Sequence, residues 1–143
     1  MSAEDDIRKA SDKFYAALKR TINGDATQMA EVWSQNSDVS TLHPIGGSQV
    51  GWDEVRVSWE NLSKICSNGS VKLTDQRVCA GADFSYEAGT EHVAALVAGS
   101  AVQTEFRVTN IYRREGSEWR IVHHHTDLNP TMQGILSKLE TSQ

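Results

Sequence analysis

The chain has 143 residues, 14 Lys and Arg against 19 Asp and Glu, a formal charge of −5 and 38% hydrophobic residues. That length suits one compact domain over 1–143 with a sizeable core, and the composition excludes disordered, collagenous and coiled-coil classes. The acidic balance and scattered basic residues exclude a nucleic-acid partner, because phosphate binding needs clustered Lys and Arg.

The first half reads as helical. Ser2 and Asp5 form a capping-box pattern ahead of Ile7, Ala10, Phe14, Ala17 and Leu18, which share one helical face, and Asn23-Gly24 stops the helix. Asp25 and Gln28 precede a second helix with Met29, Val32 and Trp33 on one side. A short strand over Val39–His43 ends at Pro44, and Ile45-Gly46-Gly47-Ser48 reads as a loop. Trp52, Val55, Trp59, Leu62 and Cys66 follow at helical spacing, closed near Asn68-Gly69.

The second half switches to strands over Val71–Ala80, Tyr86–Val97, Ala101–Arg114 and Glu118–Asp127. Gly81, Ala98-Gly99-Ser100 and Gly116-Ser117 separate them, which makes an antiparallel meander. Asn129 and Pro130 open a last helix reaching about Leu139. Helices followed by a curved sheet make an α+β domain. A two-residue loop at Gly116-Ser117 pairs Ile111 with Val122, Thr109 with His124 and Arg107 with Thr126, and the preceding hairpin brings Glu91 near Arg107. One face then carries Glu91, Arg107, Thr109 and His124. The other carries Phe106, Val108, Tyr112, Trp119 and Ile121, an apolar surface that a second subunit would cover.

This order of elements resembles the nuclear transport factor 2-like superfamily, a cone-shaped α+β fold with N-terminal helices packed on a curved antiparallel sheet. Residues 14–18, 23–25 and 43–47 resemble the helix and cavity-mouth segments of ketosteroid isomerases, and 112–125 resemble the last hairpin of SnoaL-like proteins. The same hairpin is similar to the calcium/calmodulin-dependent kinase association domain. The resemblance implies a small-molecule pocket with His43 as general acid/base, in the position where ketosteroid isomerases carry an Asp, acting on a cyclic or carbonyl-containing substrate. Tyr15, Trp59, Glu91, Arg107 and His124 would bind that substrate, with Arg107 and Glu91 fixing its orientation. Phe14 stands where those isomerases hold the oxyanion with a Tyr, and no acid lies between Phe106 and Tyr112, so ketosteroid isomerase activity itself is not expected. The alternative implied is a non-catalytic assembly or ligand-sensing domain, although the arginine cage of the kinase domain falls on Glu91, Thr109 and Thr126.

No cofactor is expected. Strand alternation puts only His123 and His125 of the His123–His125 run on one face, two ligands where zinc needs three or four, so no metal is expected. Cys66 and Cys79 lack ligand spacing and read as inert reduced thiols. The polar N-terminus and the lack of a long apolar run point to a cytoplasmic protein without a membrane segment, and the apolar sheet face points to a homodimer through that face.

Overall fold

A computed structural model describes residues 2–141. Helix α1 spans Ala3–Thr21 and starts at the expected capping box: the Ser2 hydroxyl accepts from the Asp5 amide at 3.1 Å, and the Asp5 carboxylate accepts from the Ser2 amide at 3.3 Å. Its inward stripe is Ile7, Ser11, Phe14, Ala17, Leu18 and Thr21. Helix α2 is a single turn, Met29–Val32. Strand β1, Ser40–His43, turns tightly through Pro44 and Ile45 into β2, Gly46–Val50. The sequence reads this second segment as a loop. Gly46 and Gly47, at φ 102° and 84°, hide a strand whose register is set by pairing with β1.

Helix α3, Trp52–Ile65, buries Val55 and Trp59. It stops three residues before Asn68-Gly69, because the chain passes directly into β3, Cys66–Cys79. Strands β4 (Phe84–Val97), β5 (Ser100–Glu115) and β6 (Glu118–Thr126) complete the meander, and α4 covers Pro130–Thr141. The six strands lie in the order β2-β1-β6-β5-β4-β3, with β1 parallel to β6 and every other pair antiparallel. The helices close over one face of this sheet. Phe14, Trp33, Trp59, Tyr112 and Ile121 are among the fully buried side chains between the two layers.

Two local irregularities decide which side chains face that interior. The β4–β5 hairpin closes through Ala98 and Gly99 alone, both left-handed at φ 50° and 82°, so Val97 pairs with Ser100. The three-residue loop expected from the sequence is one residue too long. Glu91 therefore opposes Phe106, and Arg107 opposes Thr90. In the β5–β6 hairpin Glu115 opposes Glu118 as expected, but the register shifts between Ile111 and Tyr112, and Val122 is the extra residue of a bulge. Asn110 then pairs with His124, and Thr109 with His125.

The consequence is a corrected face assignment. Phe106, Val108, Tyr112 and Ile121 point into the molecule's own core, with Glu91, Asn110 and His124 among them. Arg107, Thr109 and His125 are outside. The apolar face assigned to a partner subunit is covered by α1 and α3, which removes the premise for a homodimer through it.

A third irregularity lies in β3. Its register shifts between Thr74 and Arg77, with Asp75 left-handed at φ 55°. Gly89 sits opposite on β4, where a Cβ would meet the Thr74 carbonyl oxygen at 2.7 Å. The bulge turns Gln76 inward, toward the polar part of the core described next.

Candidate functional site

A cavity of about 40 Å³ lies between the helices and the sheet. Its wall is mostly apolar (Leu18, Ile22, Leu62, Val93, Phe106, Met132), and four groups on it can exchange hydrogen bonds: His43, Trp59, Glu91 and His124. Four of the positions named from sequence, His43, Trp59, Glu91 and His124, meet here. Tyr15 joins them through Glu91.

Glu91 is 2% exposed, and its one side-chain hydrogen bond among the described residues comes from the Tyr15 hydroxyl at 2.8 Å. Burial pushes its carboxyl up to about 7, opposed by the Tyr15 hydrogen bond and supported by the nearby Glu87 charge. The Tyr15 phenol is raised well above its ordinary value, first by burial and then by Glu91, so it stays a donor.

His124, also 2% exposed, stands with Nε2 4.0 Å from the Glu91 carboxylate. Its other nitrogen, Nδ1, lies 2.6 Å from the Asn110 side-chain oxygen. The Asn110 amide nitrogen is already committed as donor to Tyr15 and to Glu87, both at 3.0 Å, so its oxygen must accept from His124. That fixes the tautomer: Nδ1 carries the hydrogen, and Nε2 offers its lone pair toward Glu91. Burial is the main reason that the His124 imidazole is held well below its ordinary value, with His43 adding to it.

His43 closes the opposite wall, its ring 4.6 Å from Trp59 and 6.3 Å from His124, centroid to centroid. Ser58 donates to the Val55 carbonyl at 2.6 Å, so at 2.9 Å it can only accept from His43 Nε2–H. Nδ1 keeps the lone pair. Burial lowers this imidazole to about 4, and it is neutral at physiological pH. The Trp59 indole N–H is buried without a partner among the described residues. Cys66 also lines the cavity, and burial pushes its thiol up to about 11, in keeping with an inert side chain.

Arg107 does not reach this site. Its side chain is 85% exposed and holds Asp127 at 2.8 Å on the outer face, so the pairing with Glu91 expected from sequence does not form. Arg107→Ala is accordingly expected to leave ligand binding and thermal midpoint unchanged; a lost ligand response in calorimetry would return it to the site. His123 and His125 lie on the outer side with ring centroids 5.7 Å apart, and no cluster of three metal-ligating side chains occurs among the described residues.

Sequence reasoning missed three polar core residues. Glu87 is fully buried and accepts from Tyr112 at 2.5 Å, Gln76 at 2.7 Å and Asn110 at 3.0 Å. The signal was present as alternation: Asn110 and Tyr112 share parity with Phe106 and Val108 on β5, and Glu87 with Glu91 on β4. No helix among the described residues is long and apolar enough to cross a membrane.

Comparison with known proteins agrees with this architecture. No curated protein matches the chain. A Salmonella enterica protein of the nuclear transport factor 2-like superfamily superposes with a TM-score of 0.78 at 18% identity, covering 90% of this chain and 93% of its own. A Streptomyces avermitilis protein of that family, provisionally named a dehydratase, gives 0.77 at 24% identity, covering 88% and 95%. A Thiobacillus denitrificans protein, provisionally named a calcium/calmodulin-dependent protein kinase type II association domain, gives 0.67 at 25% identity, covering 84% and 92%. The SnoaL-like domain family matches over residues 7–127, most of the chain, and with the cone fold around its buried, mostly apolar cavity this protein is a member of that family.

Proposed function

We propose that this SnoaL-like domain binds a small molecule in the cavity and carries out acid–base chemistry on it, of the isomerase, dehydratase or cyclase type, on a cyclic or carbonyl-containing compound. One observation carries the reading: a buried carboxyl whose proton affinity is tuned to about 7 lies 4.0 Å from an imidazole of fixed tautomer on a cavity wall. General acids and bases work best when their pKa lies near the operating pH. Glu91 is the group that takes and returns the proton, Tyr15 orients it, and His124 Nε2 is the facing acceptor. His43, held at about 4, serves as a neutral hydrogen-bond partner or weak base through Nδ1. Trp59 and the apolar wall hold the substrate body.

At about 40 Å³ the cavity is far below the roughly 300–1,000 Å³ of sites for drug-sized ligands. The substrate is small, or Met132 on α4 shifts to admit it. The Streptomyces neighbour supports the fold, and its name falls in the same reaction class.

A thermal-shift panel of cyclic ketones, enones, epoxides and carboxylic acids tests binding. A ligand at one hundred times its Kd adds about 2.7 kcal/mol, a rise of several degrees for a domain of this size. Hits that are lost in His43→Ala place the ligand against that wall. No hit from any class would overturn the small-molecule reading in favour of an assembly domain, which the association-domain names of two structural neighbours suggest. Light scattering would then show a stable multimer.

A further inference from the structure

Glu87 and Glu91 point inward from the same face of β4, four residues apart, and both are buried. Their hydrogen bonding is unequal. Three side chains donate to Glu87, whereas one, Tyr15, donates to Glu91. One of the three stands out. Gln76 donates to Glu87 at 2.7 Å while its amide oxygen accepts from Arg8 at 2.6 Å. A guanidinium can only donate, so Arg8 forces the Gln76 oxygen outward and the NH₂ group toward Glu87. Arg8 is half-exposed on α1, and its side chain is 43% accessible.

The backbone bends to make this contact. Without the extra residue of the β3 bulge, alternation from Val71 and Leu73 would turn Asp75 inward. The left-handed Asp75, opposite a glycine at 89, instead brings Gln76 to the interior. A non-glycine residue at positive φ is uncommon, and such positions concentrate where function requires a particular side-chain placement.

We propose that Gln76, oriented by Arg8, is a positioning residue that holds the negative charge of the carboxylate pair at Glu87 and leaves the transferable proton on Glu91. This rests on the acid–base reading of the cavity. The groups facing the pair are Arg8, Ser11 and Tyr15 from α1, Gln76 from β3, Asn110 and Tyr112 from β5, His124 from β6 and, across the cavity, His43 from β1. The two carboxyls are joined through one hydrogen-bonded chain, Glu87 accepting from Asn110, which also donates to Tyr15, which donates to Glu91, so donors concentrated on one of them favour the charge there and the proton on the other.

The test is a site-resolved titration by NMR on protein carrying ¹³C at the Glu side-chain carboxyl carbons, with no ligand present. Gln76→Leu is expected to lower the Glu91 midpoint by about one pH unit, because the charge is then shared between the two carboxylates. Arg8→Met frees the Gln76 amide to turn and shifts the midpoint the same way by less. If both folded variants keep the wild-type Glu91 midpoint, Gln76 is merely a packing residue and the proposal fails. Should Gln76→Leu not fold, the half-exposed Arg8→Met decides alone. A shifted midpoint in a protein that moves no substrate proton would sink the catalytic reading and leave this one standing.

Discussion

Glu91→Gln should abolish proton transfer while making the protein more stable in alkali. Loss of a positioned general acid or base costs about 10²–10⁴-fold in rate, so exchange of ketone α-protons with deuterated solvent should fall by that factor in the variant. Stability moves the other way. Glu91 binds its proton more tightly in the folded chain, with a midpoint raised from 4.5 to about 7. Its contribution is complete below about 4.5 and is lost as pH rises through 7, a swing of about 3 kcal/mol for a shift of this size. Glutamine keeps an acceptor for Tyr15 and cannot ionise, so urea denaturation at pH 9 should find the variant more stable than wild type. An identical change in stability between pH 5 and pH 9 in wild type and Glu91→Gln, where the histidine contributions cancel, would show that Glu91 titrates as an ordinary surface carboxyl.

The acid side is governed by histidine. His43, depressed from 6.5 to about 4, contributes stability above 6.5 that is lost as pH falls through 4, and His124 acts in the same direction. The two slopes oppose each other, and maximum stability is expected between about pH 6 and 7.

Glu87→Ala is the second large effect, and it concerns folding. The carboxylate accepts from Tyr112, Asn110 and Gln76 in a fully buried position. Asn110 and Gln76 keep other acceptors in Tyr15 and Ser11, but the Tyr112 hydroxyl loses its shortest partner and a cavity opens beside it. Each buried polar group left unsatisfied costs about 1–3 kcal/mol, so a loss of about 2–5 kcal/mol is expected. Glu87→Gln keeps one acceptor oxygen for Tyr112 and Asn110 but turns its amide NH₂ toward that of Gln76, so an intermediate loss is expected. Comparable denaturation midpoints for Glu87→Ala and wild type would mean that water replaces the carboxylate without penalty.

Much of this molecule was legible before its coordinates. Helical periodicity located α1 and α3, and glycine and proline punctuation located the hairpins and α4. Of the six residues named from sequence, His43, Trp59, Glu91 and His124 line one cavity, Tyr15 is hydrogen-bonded to Glu91 behind it, and Arg107 lies outside. What the sequence concealed was parity. Strand side chains alternate with a period of two, so a single residue added or removed exchanges inside for outside. The extra Val122 moved Asn110 opposite His124, and the two-residue turn at Ala98-Gly99 separated Arg107 from Glu91. Neither the bulge nor the turn length has a composition signal strong enough to read from one sequence. The polar core was missed for a different reason: Asn110 shares parity with Phe106, Val108 and Tyr112, and Glu87 with Glu91, but a polar side chain on an apolar face is not read as buried until its hydrogen-bond partners are known.

Helix α4 supplies one piece of the cavity wall from the end of the chain. Met132 is 5% exposed and forms part of the cavity wall, while the helix is tethered at its start by Asn129, whose amide donates to the Pro44 carbonyl at 2.8 Å and whose side chain reaches Thr104 at 2.9 Å. If a molecule larger than the present void binds by displacing Met132, that helix start must first give up its ties to Pro44 and Thr104. Association is then a two-step process whose observed rate stops rising with ligand concentration and levels off at the opening rate of the helix, well below the diffusion limit.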